Sequence, residues 1–267
     1  MIAFPNAKIN IGLNITNKRN DGFHDLETVF YPVKIKDALE VVESSEMDFE
    51  TSGIEIPGNP DQNLCLQAYN MLRKDFDLPN INIHLHKNIP IGAGLGGGSA
   101  DAAFFIKLID NKFDLKLTNE RMEAYCRKLG ADCAFFIQNK PVFANGKGDE
   151  FEDIEIDLSA YHLVLVMPQV HVSTAEAYLG VKAQTPKHSL KELIKLPLTA
   201  WESKIVNDFE PHILKNHPKI AALKKELKSA GALFSLMSGS GASVYGIFEE
   251  EVDLSFLEKD NLVFTDI

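Results

Sequence analysis

Alternating apolar and polar residues predict β-strands in the first part of the chain. From residue 8 to residue 15, Ile and Leu alternate with Lys, Asn and Gly, as expected of a strand with one buried face. Further strands are predicted at residues 28–35, 38–42 and 81–86. The alternation in residues 81–86 is typical of a half-exposed antiparallel strand. Apolar residues at helical spacing predict helices at residues 64–76, 99–109 and 118–130. Thr118 is a favourable N-cap for the third helix, and Gly130 is a favourable C′ residue.

A continuous apolar run opens the second part of the chain and predicts a buried strand. It covers residues 162–167 and stops at Pro168, which has no N–H to donate to a neighbouring strand. Helices are predicted at residues 174–178, 190–194, 205–214 and 217–229. Two further strands are predicted at residues 234–237 and 243–248. This order of elements predicts an α+β fold. We expect two domains, at residues 1–158 and 159–267.

Composition narrows the class of protein. Apolar residues make up 45% of the chain and charged residues 24%, which excludes a disordered protein. The formal net charge of −11 argues against a nucleic-acid partner, because that class of ligand needs a basic surface. Cys65, Cys126 and Cys133 have no metal-binding spacing and predict buried thiols. Without a signal peptide or a membrane-spanning run, we expect a cytoplasmic protein with no membrane partner, as a monomer or weak homodimer.

A glycine-rich segment ahead of an apolar helix is the strongest chemical signal in the sequence. Five glycines fall within residues 92–98. Glycine frees the backbone to adopt positive φ, and a helix N-terminus attracts anions, so the segment is predicted to hold phosphate groups. The position where a Walker A loop needs Lys is Gly98, and the G-x-G-x-x-G match is weak by itself. A flexible linker is the alternative, but the apolar helix that follows argues against it. The predicted phosphate-binding residues are Pro90, Ile91, Gly92, Ala93, Gly94, Leu95, Gly96, Gly97, Gly98, Ser99 and Ala100.

Several short motifs together resemble those of the GHMP-type small-molecule kinases. Besides the glycine-rich segment, the resemblance rests on residues 5–10, 21–24, 129–132, 207–210 and 237–241. It spans nearly the whole chain. The resemblance implies an N-terminal domain like a ribosomal-protein α/β fold and a C-terminal ferredoxin-like domain. Residues 238–241 are expected to pack against the glycine-rich segment, although a purely structural turn is the simpler alternative.

The resemblance implies a reaction as well. The pairing of A-K-I-N with D-G-F-H is similar to the family branch that phosphorylates the C2 hydroxyl of 4-diphosphocytidyl-2-C-methyl-D-erythritol in the non-mevalonate isoprenoid pathway. ATP is the implied phosphoryl donor, and Mg²⁺ is expected to arrive with it, because no metal-ligand spacing occurs in the chain. Asp132 matches the catalytic base, and Lys8 matches the residue that stabilises transition-state charge. Without the resemblance, an N-cap is an equally good interpretation of Asp132. A solvated lysine on a strand is the better interpretation of Lys8.

Other residues match the family's contacts with the cytidyl substrate. Asn10, Phe23 and His24 occupy such positions, with the Phe23 ring expected to stack on cytosine and His24 to bond its edge. Phe23 stands where the family usually has Tyr. Thr174 and Tyr178 match contacts in the second domain, Tyr178 as the other stacking ring, although a helix cap and a core aromatic are the alternatives. Lys147 is expected to reach the substrate diphosphate, unless it is a solvated turn lysine.

Two other functions stay open at this point. One is another GHMP kinase, acting on homoserine or mevalonate, against which the D-G-F-H segment argues. The other is a catalytically silent nucleotide-binding protein, against which Lys8 and Asp132 argue.

Overall fold

The structure, a computed structural model, describes residues 1–267 and contains twelve β-strands and eight α-helices. The strands are β1 (Ile2–Ala3), β2 (Asn6–Lys18), β3 (His24–Lys36), β4 (Ala38–Glu43), β5 (Asp48–Gly53), β6 (Ile81–Lys87), β7 (Val142–Asn145), β8 (Glu150–Asp153), β9 (His162–Pro168), β10 (Phe234–Met237), β11 (Val244–Phe248) and β12 (Asn261–Phe264). The helices are α1 (Leu64–Asp75), α2 (Gly97–Phe113), α3 (Asn119–Leu129), α4 (Phe135–Gln138), α5 (Thr174–Leu179), α6 (Leu190–Leu193), α7 (Glu210–Asn216) and α8 (Pro218–Ser229). No helix combines the length and apolar character needed to cross a membrane.

Contacts divide the chain into two units that are interleaved along the sequence. The first unit comprises residues 1–8, 34–91 and 96–140. The second comprises residues 9–33, 92–95 and 141–267. These spatial units differ from the consecutive domains 1–158 and 159–267, so that domain division stays a prediction.

The first unit contains a sheet in the order β1-β4-β6-β5, with α2 packed on α1, α3, α4 and β4. Along β6, Ile81, Ile83 and Leu85 are buried while the residues between them are exposed, as the alternation predicted. The expected direction is only half right, because β6 is antiparallel to β4 and parallel to β5. Asn63 starts α1 by accepting a hydrogen bond from the N–H of Cys65 at 2.9 Å. All three cysteines are buried free thiols, as predicted.

The second unit contains two four-stranded sheets. One has the order β2-β3-β7-β8. The other has the order β10-β11-β9-β12 with every pair antiparallel, which is the order of a ferredoxin-like sheet. Helix α8 packs on this second sheet. The core beneath it includes Leu13, Val164, Ile213 and Leu223. The sequence prediction of a ferredoxin-like C-terminal part is confirmed.

One predicted helix start is wrong, and one predicted helix end is correct in position but not in conformation. Residues 205–209 are not helical, because their backbone pairs with Leu13. The N–H of Leu13 donates to the carbonyl of Val206, and the carbonyl of Leu13 accepts from the N–H of Asp208, each at 2.8 Å. This pairing with β2 delays the helix until α7. At the end of α3, the φ of Gly130 is 179°, an extended backbone rather than the left-handed C′ conformation. A Cβ at this position would stand 3.2 Å from Sγ of Cys133, which is a tight contact.

Candidate active site

In the glycine-rich segment, glycines with positive φ alternate with buried apolar residues. Gly92, Gly94 and Gly96 have φ of 67°, 75° and 69°, where residues with a Cβ are unfavourable. Ala93 and Leu95 lie between them and are each 1% exposed. The buried side chains of Ala93 and Leu95 therefore attach the segment to the protein core, and the glycines allow the backbone to turn between them.

Gly94 lies directly against the turn that joins β10 to β11. A Cβ on Gly94 would stand 1.9 Å from the carbonyl oxygen of Ser238, so only glycine fits. The hydroxyl of Ser238 donates to the carbonyl of Gly94 at 2.9 Å. The predicted packing of residues 238–241 against the glycine-rich segment is thus confirmed.

Helix α2 begins without a side-chain cap. Its N-cap is Gly96 in the left-handed conformation, and no side chain bonds the N–H groups of the first turn. Those groups have no partner within the helix, so they are suited to an anion. Nothing lies within 4 Å of a Cβ built on Gly98. In the same turn, Ser99 hydrogen-bonds Cys133, the residue after Asp132.

Lys8 and Asp132 form an ion pair beside this helix start. Nζ of Lys8 lies 3.3 Å from Oδ2 of Asp132, with the side chains 4% and 33% exposed. A Cβ on Gly96 would stand 3.2 Å from Cε of Lys8, so the lysine stem crosses the end of the glycine-rich segment. Asp132 lies in the turn between α3 and α4, and the N-cap of α4 is Ala134. The alternatives of a solvated lysine and a capping aspartate are therefore both wrong.

Asn10 is more firmly held than the sequence suggested. It is 3% exposed, and its amide donates to Oγ1 of Thr28 at 2.9 Å. Its backbone N–H donates to Oγ of Ser238, and its carbonyl accepts from the hydroxyl of Tyr245. A contact between Asn10 and substrate stays a prediction beside this structural role.

Four of the predicted substrate residues form two ring contacts in the second unit. His24 stacks on Tyr178, with ring centroids 4.6 Å apart and planes 23° apart. Phe23 is 59% exposed, and Nζ of Lys147 lies 5.1 Å from its ring centroid. One face of the Tyr178 ring is thus covered by His24, and the sandwich of cytosine between Phe23 and Tyr178 stays a prediction.

Thr174 and Tyr178 lie one helical turn apart on α5. Ser173, not Thr174, caps this helix by accepting from the N–H of Glu176 at 3.1 Å. Thr174 is the first residue inside the helix, so the alternative of a capping role is wrong. Tyr178 also contacts Phe209 edge-on, with centroids 4.9 Å apart, and is partly buried against the core. Each residue's contact with substrate stays a prediction.

A buried ion cluster and a histidine at the glycine-rich segment were missed by the sequence analysis. Lys87 pairs with Asp37 and Asp101, and none of the three is more than 3% exposed. Burial raises the pKa of Asp101 to about 7, against the opposing attraction of Lys87. Separately, the ring of His171 lies 3.4 Å from the place of a Cβ on Gly92. The lysine at the buried end of β6 was a signal for the cluster, because an apolar face rarely holds an unpaired charge.

A cavity of about 260 Å³ lies beyond the end of β5 in the first unit. Its walls include Thr51, Pro57, Asn59 and Asn63. The parallel register pairs Gly53 with Lys87, so this cavity begins beside the strand that enters the glycine-rich segment. A larger cavity of about 470 Å³ in the second unit contains none of the predicted site residues.

Comparisons with known proteins identify the family. The family model described as "GHMP kinases N terminal domain" matches residues 63–140, and the one described as "GHMP kinases C terminal" matches residues 182–259. The chain is 52% identical to the 4-diphosphocytidyl-2-C-methyl-D-erythritol kinase of Bacteroides fragilis, across 97% of this chain and 96% of that protein. The chain belongs to the 4-diphosphocytidyl-2-C-methyl-D-erythritol kinases, within the GHMP kinase family.

Other members of this kinase family agree in sequence and in fold. The kinase of the same name from Bacteroides thetaiotaomicron is 52% identical, across 94% of this chain and 93% of that protein. A crystal structure of 4-(cytidine 5'-diphospho)-2C-methyl-D-erythritol kinase superposes with a TM-score of 0.84 at 24% identity, covering 99% of this chain and 98% of that one. The two-domain GHMP kinase fold expected from the sequence is therefore confirmed.

Proposed function

We propose that the chain transfers the γ-phosphoryl group of ATP to the C2 hydroxyl of 4-diphosphocytidyl-2-C-methyl-D-erythritol, in the non-mevalonate route to isoprenoid precursors. The observation that carries this proposal is the pair of Lys8 and Asp132 at 3.3 Å, beside the uncapped start of α2. Phosphoryl transfer needs positioning and charge stabilisation more than covalent chemistry by the protein. The buried ammonium of Lys8, the carboxylate of Asp132 and the unbonded N–H groups at the start of α2 are suited to both tasks, and all three lie in the first unit.

Each group has one task in the transfer. The hydroxyl oxygen attacks the γ-phosphorus, the bond to the bridging oxygen breaks, and ADP leaves. Asp132 accepts the hydroxyl proton as that bond forms. Lys8 and the N–H groups at the start of α2 stabilise the negative charge that spreads over the transferred phosphoryl oxygens. The exposed third of the Asp132 side chain leaves room for the acceptor hydroxyl.

ATP is bound together with Mg²⁺. No group of three His, Cys, Asp or Glu side chains is placed to hold a metal ion in this chain. The site fits Mg²⁺ delivered on the phosphates, since Mg²⁺ commonly takes one or two carboxylates and keeps several waters. When bound, the ion neutralises phosphate charge in the transfer.

The remainder of ATP is assigned to the cavity beyond β5. The pairing of β5 with β6, the strand that leads to the glycine-rich segment, supports this assignment, and proline and asparagine side chains on the cavity walls suit a flat base with polar edges. Its volume of about 260 Å³ is small, so it fits a base rather than a whole nucleotide.

The cytidyl end of the acceptor is assigned to the second unit. Strand β2 carries Lys8 and Asn10 two residues apart, so the chain itself links the catalytic lysine to that unit. Phe23 presents an exposed ring, which suits stacking on cytosine. Lys147 supplies a nearby cation for the diphosphate. Homoserine and mevalonate have no base to stack, so these features favour the cytidyl substrate.

We further infer the setting in which this kinase works. Three free buried thiols fit a reducing compartment, and we place the enzyme in the cytoplasm. The net charge of −11 supports small-molecule partners without nucleic acid. We expect a monomer or a weak homodimer, which light scattering at several concentrations tests.

A coupled assay of ADP release tests the function. We expect turnover with the diphosphocytidyl substrate and none with homoserine, mevalonate or methylerythritol phosphate. Asp132→Asn should lower kcat by at least about 10²-fold, since a general base contributes that much. Asp114→Asn is the matched control, because Asp114 is an 81% exposed carboxylate at the far end of α2. ATP binding without turnover would instead indicate a silent nucleotide-binding protein.

A further inference from the structure

A buried ion cluster joins three elements of the first unit. Lys87 is the last residue of β6 on its buried face, and its Nζ donates to a carboxylate oxygen of Asp37 and to Oδ2 of Asp101, the latter at 2.7 Å. Asp37 lies between β3 and β4, and Asp101 lies in the first turns of α2. The exposed fractions of Lys87, Asp37 and Asp101 are 3%, 1% and 3%.

The cluster contacts both ends of the glycine-rich segment. Oδ1 of Asp37 accepts from the N–H of Asn88 at 2.6 Å and from the N–H of Ile89 at 2.8 Å. Those two residues lead into the segment from β6. Asp101 lies where the chain has left the segment as α2. One ammonium group therefore connects the backbone before the segment with the helix after it.

Lys87 also lies directly beneath the start of α2. A Cβ on Gly97 would stand 3.3 Å from Nζ of Lys87 and 2.9 Å from Cγ2 of Ile89. The first residue of the helix thus touches the cluster itself. A small change in the position of Lys87 would move the N–H groups that face the phosphates.

Stability alone is a poor explanation for this arrangement. Removing charges from water is costly, and well-packed apolar side chains often replace a buried ion pair without loss of stability. The cluster has two carboxylates for one ammonium, and Oδ1 of Asp101 has no hydrogen-bond partner. Apolar side chains in place of the cluster could not accept the hydrogen bonds that Asp37 accepts from the N–H groups of Asn88 and Ile89.

We propose that Lys87, Asp37 and Asp101 are positioning residues of the phosphate-binding segment, which hold its two ends at the spacing that fits the triphosphate of ATP. The proposal rests on the proposed function in one respect, that this segment binds ATP. The cluster touches neither substrate, and it acts through the backbone of residues 88–97. Its loss should therefore weaken ATP binding and leave binding of the cytidyl substrate unchanged.

Substitutions of Lys87 and Asp101 test the proposal. Lys87→Met and Asp101→Leu remove the bridge, and we expect each to raise the Kd of Mg·ATP, measured by calorimetry, by at least tenfold. The KM of the cytidyl substrate should change less than twofold. Asp101→Asn keeps an oxygen that accepts from Lys87, so it should restore the Kd to within threefold of wild type.

Glu123→Leu is the control for a purely structural effect. Glu123 lies on α3 and is buried, and its carboxylate accepts from Arg127 on the same helix and from Gln138 on α4. It should lower Tm without changing the Kd of Mg·ATP. The proposal is overturned if Lys87→Met and Asp101→Leu keep the wild-type Kd of Mg·ATP. It is also overturned if they weaken the binding of Mg·ATP and of the cytidyl substrate alike, in proportion to their loss of Tm. If a single variant does not fold, the double variant Lys87→Met/Asp101→Leu is measured instead, since it leaves Asp37 as the one buried carboxylate. The same comparison applies to it: the loss of Mg·ATP binding against the loss of binding of the cytidyl substrate. Because calorimetry needs no turnover, an enzyme inactive on the cytidyl compound would refute the proposed function and leave this test intact.

Discussion

Gly94→Ala is the sharpest test of how the glycine-rich segment is built. The φ of Gly94 is 75°, and a left-handed conformation costs an alanine roughly 1–2 kcal/mol. The new Cβ would also stand 1.9 Å from the carbonyl oxygen of Ser238 and 2.9 Å from its carbonyl carbon. Non-bonded heavy atoms normally stay about 3.5 Å apart or slightly less, so one backbone must move by more than about 1 Å.

Neither backbone can move alone. The Ser238 hydroxyl donates to the Gly94 carbonyl, and the N–H of Gly241 donates to the Ser238 carbonyl at 2.9 Å. The displacement therefore passes into the segment that we propose to hold the phosphates. A misplacement of about 1 Å can cost about 10²-fold in rate, so we expect kcat/KM for ATP to fall by about that factor.

Gly231→Ala is the matched control for backbone strain. The φ of Gly231 is 101°, and nothing lies within 4 Å of a Cβ built there. The strain of roughly 1–2 kcal/mol should lower Tm by about 2–8 °C and leave kcat/KM for ATP unchanged. Steady-state kinetics and thermal unfolding of both variants decide the matter. A folded Gly94→Ala enzyme within threefold of the wild-type kcat/KM would refute the reasoning.

Two further predictions concern Phe23 and Asp101. Phe23 is 59% exposed, so Phe23→Ala should leave Tm unchanged and raise the KM of the cytidyl substrate by about tenfold, with ATP unaffected, because stacking on a base is worth about 1–3 kcal/mol. Phe23→Tyr should match the wild type, and an unchanged KM in Phe23→Ala would exclude stacking. Burial raises the pKa of Asp101 from 3.8 to about 7, so stability that this residue contributes below pH 4 is lost as the pH rises to 7. Relative to Asp101→Asn, the wild-type free energy of unfolding in urea should fall between pH 4 and pH 8, and a constant difference would contradict this.

Much of the fold was predictable because it follows from local patterns. Strand β6 shows its buried face in every second residue, and Thr118 caps α3 through its own side chain at 3.3 Å from the N–H of Arg121. The glycine-rich segment is recognisable because its conformation needs glycine at Gly92, Gly94 and Gly96. Such features involve residues close together in the chain, so the sequence states them directly.

The ion cluster beneath α2 was only half visible in the sequence. Lys87 continues the buried alternation of β6, and Asp101 interrupts an apolar helix. Both positions signal buried charge. Which carboxylate reaches Lys87 depends on how β6, α2 and the residue between β3 and β4 pack, and the pattern of one strand or helix contains no information on that.

The sequence by itself determined most of the elements, the glycine-rich segment and, through its motifs, the pair of Lys8 and Asp132 that we propose to be catalytic. Tertiary structure decided the rest. Residues 205–209 have a helical pattern, but bonds with Leu13 keep them out of a helix, because long-range pairing outweighs a weak local preference. Likewise, tertiary packing turns the face of Tyr178 toward His24. Contacts between residues far apart in the chain depend on how whole elements pack, which no local pattern specifies.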